Sequence, residues 1–188
     1  MKDVYKRISS TLKALRKEKG WSLDQTAAET GVSKAMLGQI EREESSPTIA
    51  TLWKIASGFN TSFSSFIEDI HAEFNQPVHR TGQTKRLHPE DKKIRVMPIF
   101  PFDKQLNFEV FVIELLPTCK HLSPPHQQGV VEHVIVVEGK MDVLVNGTWR
   151  TLNEGEGLRF NADQPHGYRN TTAKTALFHD MIHYPQSR

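Results

Sequence analysis

One cysteine in 188 residues, Cys119, leaves no partner for an internal disulfide. Set beside Pro117 and Lys120, it reads as an inert thiol rather than a redox sensor. Long apolar runs are missing too. No stretch approaches the ~18 residues that a membrane-spanning helix needs, so no membrane partner is expected. The opening MKDVYKRISS carries charges without an apolar core, so no secretory signal is expected. Together these point to a reducing, cytoplasmic setting. Excess charge is also missing: the formal net charge is only +2, which excludes a chain that binds polyanions along its whole length. Repeats and low-complexity tracts are absent, which excludes solenoids and fibrous arrays.

The charge that is present is uneven. Lys2, Lys6, Arg7, Lys13, Arg16, Lys17 and Lys19 face only Asp3 and Glu18 in the first twenty residues. A basic face on a near-neutral chain fits phosphate contact by one domain, or a merely solvated helix. Residues 22–47 carry the sharpest local signal, SLDQTAAETGVSKAMLGQIEREESSP. Ser22 followed by Gln25 forms a capping box. Gly31 suits the left-handed residue that ends a helix. Ser33 caps a second helix in which Met36, Leu37 and Ile40 recur at inward spacings of three and four. Two short helices around a glycine turn, the second polar outside, have the geometry that reads a DNA major groove. The competing reading, an ordinary helical hairpin, does not require caps, turn and inward pattern to agree.

Helical periodicity fades after Ile70. Residues 71–92 are polar, with Pro77, Gly82 and Pro89, and read as a linker. From Ile94 onward short apolar runs follow one another: IRVMPIF, NFEVFVIELL, EHVIVVEG, KMDVLV, TWRTL, GLRF, HGYRN and TALFHDMIHY. Asn146-Gly147 is a two-residue hairpin turn between KMDVLV and TWRTL. Close-spaced short strands imply a sandwich or barrel. The tail HDMIH spaces two histidines four apart. Asp180 in place of glutamate, on a strand pattern, removes the metalloprotease reading. On such a strand, His179, Met181 and His183 share one face, and Phe178, Asp180 and Ile182 share the other.

Residues 6–70, through GVSKAMLGQIEREESSPTIATLWKIASGFNTSFSSFI, resemble the five-helix DNA-binding domain of the XRE (lambda-repressor/Cro-like) regulators. The first helix is expected over Ile8 to Glu18, the recognition helix over Ser33 to Glu41, and the fourth over Ile49 to Ser57. The resemblance implies base contacts from the positions of Lys34, Ala35 and Gln39. Lys34 can donate to guanine, Gln39 can pair with adenine, and Ala35 can pack on a thymine methyl. Gly38 would allow close backbone approach. Ser22, Arg42, Ser45 and Ser46, with the cap Ser33, would hold phosphates and position the domain.

Residues 93–185 resemble a small cupin, an eight-stranded jelly roll, through PHQQGVVEHVIVVEGKMDVLVNG and LNEGEGLRFNADQPHGYRN. His126, Glu132 and Gly139 match the first motif, and Gly155, His166 and Asn170 match the second. Gln128 replaces the second histidine, while Asn161 and Asp163 stand where proline and glycine are usual. The fold class is therefore multi-domain α + β: a DNA-binding domain at 1–70, a linker at 71–92 and a cupin at 93–188. The whole arrangement resembles the bacterial one-component regulators with a cupin sensor, the sulfur-utilisation type above others. His126, Glu132 and His166 suit a divalent transition metal, zinc first, with vacant positions for a chelating ligand. The alternative is a metal-free pocket whose histidines bind an anion. Gln128, Phe160, Tyr168 and His179 are candidate effector contacts, and His133 should point away from Glu132. The expected partners are double-stranded palindromic operator DNA, a small carboxylate or sulfur-containing amino-acid-like effector, and a second copy of the chain, joined through the apolar jelly-roll strands such as IRVMPIF. The competing function is a cupin-type metalloenzyme, a dioxygenase or isomerase, tethered to the DNA-binding head.

Overall fold

A computed structural model describes residues 2–67 and 93–185. The linker expectation for 71–92 falls outside the described residues. The first half has four α-helices: α1 (Lys2–Glu18), α2 (Leu23–Thr30), α3 (Lys34–Glu41) and α4 (Ile49–Gly58). A single 3₁₀ turn, Ser64–Phe66, follows them. The expected count of five helices thus becomes four α-helices and that turn among the described residues. The helix caps form as read. The Ser22 side chain accepts from the Gln25 amide, and the Gln25 side chain accepts from the Ser22 amide at 2.8 Å. Gly31 closes α2 at φ 64°, and the Ser33 side chain accepts from the Met36 amide.

The inward positions assemble one core. Leu12, Leu37, Ile40, Leu52 and Ile55 are buried, with Leu15, Leu23 and Met36 partly covered at its edge. Helix α4 lies hard against α2. A Cβ at Gly58 would sit 2.7 Å from the Glu29 carbonyl oxygen and from Thr30, so only glycine allows this approach.

The second half is a two-sheet sandwich of β1 (Ile94–Asp103), β2 (Phe108–Leu115), β3 (Lys120–Ser123), β4 (Val131–Glu138), β5 (Lys140–Val145), β6 (Thr148–Asn153), β7 (Gly157–Asn161), β8 (His166–Arg169) and β9 (Ala176–His183). One sheet runs β1-β2-β9-β4-β7 and the other β3-β8-β5-β6. Among the described residues, nine strands replace the expected eight. The added one is β3, KHLS, whose exposed-buried alternation is too short to register between Pro117 and Pro124. The Asn146-Gly147 turn has positive φ at both residues, as the hairpin between β5 and β6 demands. Asn170 is buried and structural: its side chain holds the carbonyls of Leu115 and Lys174.

The two halves meet over apolar surface. Trp53 of α4 stacks on Phe63 with centroids 4.4 Å apart and meets Phe111 of β2 edge-on at 6.1 Å. The buried Glu109 carboxylate of β2 accepts from the amides of Phe63 and Ser64 at 3.2 and 3.0 Å, and from the Tyr184 hydroxyl. Burial pushes the Glu109 carboxyl up from its usual range, against the pull of those donors.

Candidate functional site

Three groups converge in the sandwich because three separate pieces of backbone aim them there. His126 is fixed by its amide, which donates to the Ala162 carbonyl at 2.9 Å. Glu132 alternates inward on β4, leaving His133 facing the other way as expected. His166 opens β8 opposite Ser123 of β3. The ligand atoms of His126, Glu132 and His166 lie within 4.8 Å of one another, and all three residues are buried.

Glu132 is the hub. Its Oε1 lies 2.8 Å from His126 Nε2 and 3.3 Å from His166 Nε2, while its Oε2 accepts from the Tyr168 hydroxyl. Burial alone would raise this carboxyl. The charge of His166, joined by hydrogen bonds from both imidazoles, overrides burial and holds it well below the usual carboxylate range. The same pairing raises His166 despite the opposing effect of burial, and burial raises the Tyr168 hydroxyl.

The arrangement fits a cation. His166 Nδ1 lies 2.9 Å from the Gln164 carbonyl, which can only accept, so Nδ1 carries the proton. In the neutral ring Nε2 then presents its lone pair toward a carboxylate oxygen. A proton or a metal ion placed between them resolves that opposition, and an outer carbonyl that fixes the tautomer is the usual support of a metal-binding histidine. His126 and His166 would supply imidazole nitrogens and Glu132 an oxygen; the set can bind a divalent metal.

The other expected contacts divide. Tyr168 lines the pocket, and the Phe160 ring packs on His166 with centroids 5.5 Å apart. Gln128 is exposed and does not line it, because the turn at Gly129 carries residues 127–129 outward. His179 is also misplaced: the inward row of β9 is Phe178, Asp180 and Ile182, and Asp180 reaches the pocket instead. The sequence did not single out His121, Ser123, Ile49 and Trp53, all of which line it. The β9 alternation offered Asp180 as one of two rows. His121 and Ser123 belong to the unread strand β3, and nothing local assigns α4 to a cupin cavity. Yet the Trp53 ring packs tilted against His126 with centroids 4.8 Å apart, and the Ser57 hydroxyl lies 3.4 Å from His126 Nδ1.

On the first half, Ser33, Lys34, Ala35 and Gln39 are exposed along one side of α3. Lys34 is paired with Asp24 of α2 at 2.8 Å, an exposed contact that a phosphate or base can displace. Gly38 is buried, and a Cβ there would come 3.1 Å from the Arg42 guanidinium and 3.8 Å from Leu23. Arg42 is exposed and bound to Glu44, while the Ser45 hydroxyl meets Met36 sulfur at 3.7 Å and Ser46 is half-buried. The Ser22 amide donates to the Gln25 side chain. Arg16 leaves the basic set as well: its guanidinium is bidentate on Glu41, which ties α1 to α3.

A capped helix-turn-helix carried with a jelly roll that surrounds an imidazole–carboxylate cluster defines a DNA-binding regulator with a cupin domain. Residues 12–66 match the helix-turn-helix family and residues 111–182 the cupin domain family. The chain is 49% identical over 187 residues, the full length of both, to the HTH-type transcriptional regulator SutR of Escherichia coli (strain K12). A crystal structure of an HTH_3 family transcriptional regulator from Vibrio cholerae superposes with a TM-score of 0.84 at 46% identity, covering 97% of each chain. The Cupin_2 domain of an XRE family transcriptional regulator from Enterobacter cloacae, 43% identical, covers 50% of this chain and 100% of its own at a TM-score of 0.50. The chain belongs to the XRE-type helix-turn-helix transcriptional regulators with a C-terminal cupin domain, and it is a transcriptional regulator rather than an enzyme. No described helix is long and apolar enough to cross a membrane.

Proposed function

We propose that this regulator binds a palindromic operator as a cytoplasmic homodimer and releases or tightens that grip when a small metabolite enters the cupin pocket. Lys34, Ala35 and Gln39 read bases, while Ser33, Arg42, Ser45 and Ser46 meet phosphates. The pocket takes a divalent ion, zinc first, on His126, Glu132 and His166. Its effector is a carboxylate-bearing metabolite, of which a sulfur-containing amino acid is the leading candidate. With the ion bound, the metal supplies a positive pole for a carboxylate.

One observation carries the sensing part of this reading: α4 of the DNA-reading half forms a wall of the pocket through Ile49 and Trp53. The space enclosed is comparable to one water or a bare ion, too small for an amino acid. A metabolite therefore displaces Trp53 and with it α4. The close packing of Gly58 on Thr30 passes that movement to α2, the helix before the recognition helix. A ligand that binds differently to the two positions of α4 shifts the operator-competent population.

Dimerisation is supported by β1, whose outer edge no described strand pairs, and by exposed Phe100, whereas Ile94 and Val96 of the same strand are buried in the sandwich. Two copies of the head would read half-sites about one helical turn apart. Selection of operator fragments from a random pool, followed by fluorescence anisotropy, tests the DNA reading. Lys34→Ala and Gln39→Ala should each cost roughly 1–3 kcal/mol and relax preference at one base pair. Wild-type affinity in both variants would remove α3 from the base-reading role.

A further inference from the structure

The pocket has a second polar pole that the imidazole cluster does not use. Asp180 on β9 is buried to 2% exposure, and its Oδ1 has no hydrogen-bond donor. It lies on the central part of its sheet, opposite Phe111 of β2 and Val134 of β4, where neighbouring side chains are apolar. The His126 and His166 Nε2 atoms both point to Glu132, and the third imidazole of the lining, His121, is buried as well. Asp180 stands outside the group whose ligand atoms lie within 4.8 Å of one another, so it is not another arm of that cluster. Burial, and then the charges of Glu132 and Glu109, push its carboxyl well above the usual range. The cavity therefore holds a buried carboxyl whose Oδ1 awaits a partner. A carboxyl so placed ionises only where something supplies both an N–H and positive charge, and a cationic donor supplies both.

We infer that Asp180 is the amine anchor of the effector pocket: it accepts a hydrogen bond from an amino group of the ligand, which makes the effector an amino acid rather than a simple carboxylic acid. The inference rests on the sensor reading given above. The ligand's carboxylate turns toward the His126–His166 pole and its amino group toward Asp180. Trp53, which lines the same cavity, borders the side chain between them. Asparagine at position 180 keeps the shape and an acceptor oxygen but loses the charge that favours a cation.

Calorimetric titration of the full-length protein with two matched pairs tests this: methionine against 4-(methylthio)butanoate, and cysteine against 3-mercaptopropanoate. Each pair differs only by the amino group. Wild type should prefer one amino acid over its deaminated partner by roughly 10–100-fold, the range of a charge-assisted hydrogen bond. Asp180→Asn should bring that ratio close to one, chiefly by weakening the amino acid, while metal content and melting temperature stay at or above wild type. An amino-acid preference that survives in Asp180→Asn would overturn the assignment and leave the sensor reading standing. Equal binding of both partners by wild type would overturn it in the same way. Binding of neither pair by wild type would remove the effector class and the anchor together.

Discussion

Ile40→Asp should unfold the DNA-reading half and abolish operator binding. Ile40 is 1% exposed and sits in the core with Leu12, Leu37, Leu52 and Ile55. The change removes buried methyl groups, which costs about 2–5 kcal/mol in such cores. It also places a carboxylate among aliphatic side chains, where desolvation adds several kcal/mol unless the group takes up a proton. Domain stabilities are roughly 5–15 kcal/mol in total, so the combined effect is comparable to the whole. Neighbouring Glu41 does not share this fate, because its carboxylate has Arg16 as a bidentate partner. Helical circular dichroism and operator binding should both fall. Retention of both would mean that α3 does not pack as described.

Glu132→Gln should empty the pocket of metal. The substitution preserves shape but removes the charge that balances a cation. It also takes one acceptor oxygen away from the Tyr168 hydroxyl and the imidazoles of His126 and His166. Changes in the shell behind metal ligands cost 10–100-fold in affinity, so loss of a ligand itself should cost on the order of 100-fold or more. His166→Ala should remove both metal and ligand response. His126→Ala should do the same and also disturb the head, because Trp53 and Ser57 rest on that ring. The two histidine variants therefore separate sensing from coupling: only His126→Ala should change operator affinity in the absence of effector. Metal analysis and calorimetry on wild type and the three variants measure this. Unchanged metal content and ligand affinity throughout would place the sensor elsewhere and leave the cupin half a dimerisation platform.

The helix-turn-helix was legible because its signals are local. Ser22, Gln25, Gly31 and Ser33 each act within four residues, and each does in the structure what its position implied. The strands were legible from their apolar runs, and the metal-type cluster from paired motifs. What failed was long-range. His179 and Asp180 are equivalent by alternation until β9 is seated between β2 and β4. Gln128 shared a motif with His126, but its side chain leaves the cavity at the turn. Trp53 and Ser57 read as head residues, and nothing in their neighbourhood hints that they roof a cupin.

The Glu109 clamp bears on how separation of the two halves would be seen. The amides of Phe63 and Ser64 belong to the helical half by sequence, yet their acceptor is a carboxylate from the other half. Parting of the halves breaks these two bonds, while the Tyr184 hydroxyl, which belongs to the same half as Glu109, stays on the carboxylate. Solvent deuterium uptake at two backbone positions is thus a gauge of the seam between the halves that needs no attached label and no knowledge of the effector.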